Sequence, residues 1–161
     1  MLNELREPVI TGQTRSKPWR RLQLDRFEAL VEENENEVIN ALRKDLEKPP
    51  TEAFFEIIAL RQELKVVQKN LSRWMRPKRV DVPLSLKPGE ATVSLEPLGC
   101  VLIIGPWNYP FSLTLQPLIS ALAAGNTAIL KPSEQAPETS QLIANLVEKY
   151  FPVDVAKVVQ G

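Results

Sequence analysis

Between Pro97 and Glu134 the chain reads PLGCVLIIGPWNYPFSLTLQPLISALAAGNTAILKPSE, and this stretch constrains everything around it. Cys100-Val101-Leu102-Ile103-Ile104 is a short, β-branched apolar run, the composition of a buried strand. Gly105-Pro106 ends it, because proline has no N–H to carry a ladder onward. From Phe111 the spacing turns helical, with Leu115, Leu118, Ile119 and Leu122 on one face. Gly125-Asn126 supplies the residue types that close helices in a left-handed turn. A second apolar run, Thr127-Ala128-Ile129-Leu130, follows at once and stops at Lys131-Pro132. Strand, helix and strand within roughly thirty residues make a βαβ unit, with parallel strands and a right-handed crossover.

Ligands of open parallel sheets bind beyond the carboxyl ends of the strands. Trp107-Asn108 after the first run and Lys131, Ser133 and Glu134 after the second are therefore expected on one sheet edge. An amide, an ammonium and a carboxylate there can form a polar ligand site. The plainer alternative is that Asn108 builds the turn before Pro110 and Lys131 is a solvated strand end.

The chain has 161 residues and 20 basic against 20 acidic side chains, so no net field recommends nucleic acid as a partner. No run of about eighteen apolar residues is present to span a membrane, and MLNELREPVI lacks the apolar core of a signal peptide. The single cysteine, Cys100, excludes an internal disulfide and suits a reducing compartment, giving cytoplasm as the expected location. Within a strand it reads as a buried structural thiol. No histidine is present, which removes Ser-His-Asp and Cys-His catalysis and His-ligated zinc from this chain; no metal site is expected.

Residues 1–90 hold 32 of the 40 charged side chains, 17 basic and 15 acidic. They read as an N-terminal helical region, ending in an extended connection marked by Pro77, Pro83, Pro88 and Gly89; residues 91–161 read as the first part of an α/β domain. Arg26–Leu46 is amphipathic, with a break expected at Asn34–Asn36. Pro49-Pro50 ends that pattern and Thr51-Glu52 starts the next helix. Its apolar stripe, Ile57, Leu60, Leu64, Val67, Leu71 and Trp74, is either a coiled-coil seam or a helix laid on its own domain, and the shortness of the repeat favours the second. Two basic clusters, Arg15 to Arg26 and Arg73 to Arg79, read as solvated helix faces. Ala91–Glu96 alternates like an edge strand. Pro137-Glu138 opens a helix buried through Leu142, Ile143, Leu146, Val147 and Tyr150. Val155–Val159 reads as a third strand. Strand, helix, strand, helix, strand is half of a doubly wound, Rossmann-like parallel sheet.

Gly105-Pro106-Trp107-Asn108-Tyr109-Pro110, together with Lys131-Pro132-Ser133-Glu134, resembles the aldehyde dehydrogenase superfamily, and its class 3-like, fatty-aldehyde branch most. Glu96-Pro97-Leu98-Gly99, Leu122 to Asn126, Thr14-Arg15-Ser16 and Asp45-Leu46-Glu47-Lys48 support the likeness, which covers the whole chain. The resemblance implies an NAD- or NADP-dependent oxidation of aldehydes, and a homodimer in the complete protein. It gives Asn108 the role of an oxyanion donor. Lys131 and Glu134 would hold the adenosine ribose of the cofactor, and Ile104, Gly105, Pro106 and Trp107 would pass beside its nicotinamide half. The family's nucleophilic cysteine and general-base glutamate have no match here, and Cys100 is not that nucleophile. The 161 residues alone are therefore expected to be inactive. The alternative is a non-catalytic remnant or interaction module whose partner surfaces are the sheet edge and the Ile57–Trp74 stripe.

Overall fold

The computed structural model describes all residues from Met1 to Gly161. Six helices and five strands follow one another as α1 Leu2–Ile10, α2 Lys17–Glu32, α3 Glu35–Leu46, α4 Pro50–Trp74, β1 Lys78–Val80, β2 Ala91–Val93, β3 Cys100–Ile104, α5 Pro110–Ala124, β4 Thr127–Lys131, α6 Pro137–Tyr150 and β5 Ala156–Val158. Strands β3, β4 and β5 form a parallel sheet in that order, with Cys100 opposite Thr127 and Ile104 opposite Lys131. This is the first half of a doubly wound sheet, as the strand and helix runs of residues 97–159 imply.

Alternation along β3 assigns the two faces of the sheet. Ile103 is buried together with Ala128, Leu130 and Ala156 on the face that α5 and α6 cover. Leu102 and Ile104 point the other way and are 62% and 67% exposed. Helix α1 shields only the amino-terminal end of that second face. Thr127 Oγ1 donates to the Leu5 carbonyl at 2.6 Å, and Glu4 pairs with Lys157 at 2.7 Å. Composition gave no hint of α1, since Pro8 lies inside it and only Leu5, Pro8 and Val9 are buried.

The core runs through both halves of the chain. One apolar cluster takes Leu24, Phe27, Leu42, Ile57, Leu60 and Leu64 from the N-terminal helices and Phe111, Leu115, Leu130 and Ile143 from the sheet region. The α4 stripe from Ile57 to Leu71 is spent on this core, and only Trp74 at its end is exposed. It is a helix laid on its own domain, so the stripe offers no free seam to a partner.

Helix α2 begins at Lys17, well before Arg26. Ser16 Oγ accepts from the Trp19 N–H at 3.3 Å and Pro18 sits in the first turn. The early half escaped the periodicity because two of its buried positions, Arg20 and Gln23, are polar. Arg20 is thus no solvated cation. At 7% exposure it donates from Nε to the Thr14 carbonyl at 3.2 Å and from Nη1 to the Ala123 carbonyl at 3.1 Å. The break between α2 and α3 falls at Glu33–Asn34, where Asn34 Nδ2 donates to the Leu30 carbonyl and to the Tyr150 hydroxyl.

The connection before the sheet is not wholly extended. Lys78–Val80 pairs antiparallel with Ala91–Val93, and a short 3₁₀ turn occupies Leu84–Leu86. The edge strand stops at Val93, short of Glu96, because its partner strand has only three residues.

Candidate functional site

Strands β3 and β4 end level with each other, and pairing continues one step past β3 through the Gly105 N–H to the Lys131 carbonyl at 2.9 Å. Gly105 is buried, and a Cβ there would run into the Thr114 hydroxyl, so only glycine lets the chain pass this close to α5. Pro106, Trp107, Asn108 and Tyr109 then stand exposed at the carboxyl edge, where the spacing of the two apolar runs places them.

Lys131 and Glu134 meet across a tight turn. Lys131 Nζ donates to Glu134 Oε2 at 3.0 Å, while the Ser133 hydroxyl accepts from the Gln135 N–H at 3.2 Å. A backbone N–H and then the Lys131 ammonium hold the Glu134 carboxyl below its ordinary value, so it is ionised at neutral pH. The pair offers a donor and an acceptor side by side at the strand end.

Asn108 belongs to a different network. Its carbonyl accepts from Lys48 Nζ at 2.9 Å, and the same ammonium donates to Glu56 Oε1 at 2.8 Å and lies 3.9 Å above the Tyr109 ring. The other Glu56 oxygen accepts from the Phe111 and Ser112 N–H groups at 3.1 and 2.9 Å. Glu56 and Lys48, 2% and 6% exposed, therefore cap the start of α5 and hold the loop before it. The chain does not join Asn108 to Lys131 or Glu134 by any hydrogen bond; they share the edge as two separate polar groups.

The same device appears one helix later. Asp45, in the last turn of α3, accepts from the Glu138 and Thr139 N–H groups at 3.0 and 2.7 Å and so caps α6. Both helices that follow strands β3 and β4 thus begin against a carboxylate of this chain. No glycine-rich phosphate loop precedes either.

Lys48, Glu56 and Asp45 join this edge from far away in the sequence. Two signals were present in the sequence. Glu56 interrupts the buried side of α4, between Ala53 and Leu60, and Asp45 sits at a helix C-terminus, where the dipole disfavours an acid. Cys100 is half-buried in β3 rather than enclosed.

These features make the chain an α/β protein with the first half of a Rossmann-like sheet and polar groups gathered at its strand ends. Residues 13–161 match the aldehyde dehydrogenase family. An aldehyde dehydrogenase of Craterostigma plantagineum is 43% identical over 162 residues, covering all of this chain and 34% of that protein. Aldehyde dehydrogenase family 3 member H1 of Arabidopsis thaliana is 41% identical, again over all of this chain and 34% of its own length. The substrate-bound structure of Staphylococcus aureus AldH superimposes with a TM-score of 0.95 at 38% identity, over 99% of this chain and 35% of that one. The chain belongs to the aldehyde dehydrogenase family of oxidoreductases, and it spans about a third of the length of these relatives.

Proposed function

We propose that this segment is the N-terminal part of an NAD- or NADP-dependent aldehyde dehydrogenase that converts aldehydes to carboxylic acids. The observation that carries the reading is the exposed Asn108 just past β3, with its main chain tied down by Lys48 and its amide left to a ligand. In such a reaction a thiolate adds to the aldehyde carbon and the carbonyl oxygen becomes anionic. A neutral amide donor fixed in place stabilises that charge without reorganising during the step.

The Lys131–Glu134 pair fits a ribose. An ionised carboxylate accepts from one hydroxyl and the ammonium donates to its neighbour. Because the two charges cancel, the pair neither strongly repels nor demands the extra phosphate of NADP. Ile104, Gly105, Pro106 and Trp107 would pass beside the nicotinamide half of the cofactor. When bound, the nicotinamide cofactor supplies the hydride acceptor. With carboxylates already capping α5 and α6, this chain leaves neither helix start free to receive the pyrophosphate. The nucleophile and the general base come from outside these 161 residues, and we place the complete protein in the cytoplasm as a homodimer.

A chimera tests this reading. The chain replaces the matching third of the Craterostigma plantagineum enzyme, and aldehyde-dependent NAD(P)H formation is followed. The 161 residues alone are expected to give no turnover and the chimera to be active. Asn108→Ala should lower the chimera's kcat about a hundred- to a thousand-fold. A folded chimera that is inactive, or is indifferent to Asn108→Ala, overturns the reading.

The second reading, a non-catalytic module, draws on the exposed Leu102 and Ile104, an apolar patch on the uncovered sheet face. An inactive, folded chimera together with a defined oligomer of the isolated chain would favour it.

A further inference from the structure

We propose that Lys48 and Glu56 are positioning residues for the Asn108 amide, acting through the main chain of the loop that carries it. This rests on the reading of Asn108 as an oxyanion donor and extends it to two residues on other elements.

The Lys48 ammonium spends its contacts on the loop as well as on the helix cap. Glu56 caps α5 with one oxygen, and the positive end of a helix already stabilises a carboxylate there, so capping alone does not require a lysine. Lys48 nevertheless reaches Glu56 from the segment between α3 and α4. Its remaining contacts go to the Asn108 carbonyl at 2.9 Å and the face of Tyr109 at 3.9 Å, both in the loop and neither in α5. Glu52 stands 4.0 Å away as a further counter-charge. A buried pair of this kind adds little net stability over an apolar pair of the same size. What an apolar pair lacks is a grip on a carbonyl. Asn108 itself is exposed, and the bond to Lys48 fixes its backbone beside the fixed start of α5.

The pair therefore does for the amide what a supporting hydrogen bond does for a catalytic side chain: it keeps the donor at the place where charge develops. A misplacement of about 1 Å at such a group lowers turnover as much as a hundred-fold.

Two measurements decide it. The first follows backbone ¹⁵N relaxation of the 161-residue chain. Lys48→Met should drop the order parameter at Asn108 from about 0.85 to below about 0.6, while β4 is unchanged. Should Lys48→Met fail to fold, K48M/E56Q removes both charges and leaves an amide oxygen to cap α5, and the same drop is expected. An Asn108 that stays rigid in the folded variant overturns the proposal. The second is a double-mutant cycle on kcat in the chimera. Lys48→Met should lower kcat ten- to a hundred-fold with cofactor affinity unchanged, and should cost almost nothing further once Asn108 is alanine. Equal losses in both backgrounds overturn the positioning role. If Asn108→Ala alone has no effect, the oxyanion reading fails instead.

Discussion

Glu134 sits on an exposed turn, yet its carboxyl is pulled below the ordinary value of 4.5 by a backbone N–H and, next, by the Lys131 ammonium. A carboxyl depressed in the folded state contributes stability that is complete above the unfolded value. That contribution is lost as pH falls through the lower, folded value. The Lys131–Glu134 pair should thus persist at pH 4.5 and dissolve only below it. A ¹³C titration of the Glu134 carboxyl should give a midpoint under 4.5 that moves upward in Lys131→Met. A midpoint that ignores Lys131 would remove the pair from the picture. At this scale the sequence is informative about where the polar residues stand along the strand ends. Asn108, Lys131 and Glu134 stand out by their place after two apolar runs. Glu56 shows locally only as a charge on the apolar side of α4, and nothing local names its partner eight residues off or the loop sixty residues beyond Lys48.

Between elements, polar side chains do the joining, Glu56 and Arg20 buried and Asp45 half-buried. Glu56 fastens α4 to α5, Asp45 fastens α3 to α6, and Arg20 fastens α2 to the end of α5. Arg20 also explains the turn after α5. Gly125 has φ 85°, and a Cβ there would lie 2.8 Å from the Arg20 guanidinium and 2.9 Å from the Thr14 carbonyl. Burial pulls the Arg20 pKa below its ordinary value, with Glu96 opposing. Replacing Arg20 with methionine keeps most of the packing but orphans two carbonyls. The expected cost is about 3 kcal/mol in urea unfolding. A loss under about 0.5 kcal/mol would mean that water replaces the guanidinium without penalty. The βαβ unit was legible because strand and helix periods differ so sharply. The early half of α2 was not, since its buried arginine and glutamine read as surface.

For the molecule as a whole, the uneven treatment of the sheet stands out. One face lies under α5 and α6, while the other is covered by α1 only at its amino-terminal end, leaving Leu102 and Ile104 bare beside the open edge of β3. Doubly wound sheets carry helices on both faces, and open apolar edges invite association. Changing Leu102 and Ile104 together to serine should alter stability by no more than about 0.5 kcal/mol, as surface changes do. It should reduce concentration-dependent self-association in sedimentation velocity. Association that persists in the double variant would move the contact to another surface.

Local patterning is enough to specify the half-sheet, its order of strand and helix, the turn at Gly125 and the edge on which the polar residues gather. Those properties follow from local periods and from the restricted conformations of glycine and proline. Long-range packing is what puts the N-terminal helices and the sheet around one core. It also placed a lysine and two acids from α3, α4 and the segment between them on the loop and helix starts at that edge. Hydrogen bonds between distant segments depend on how the helices pack, and no short-range pattern records them.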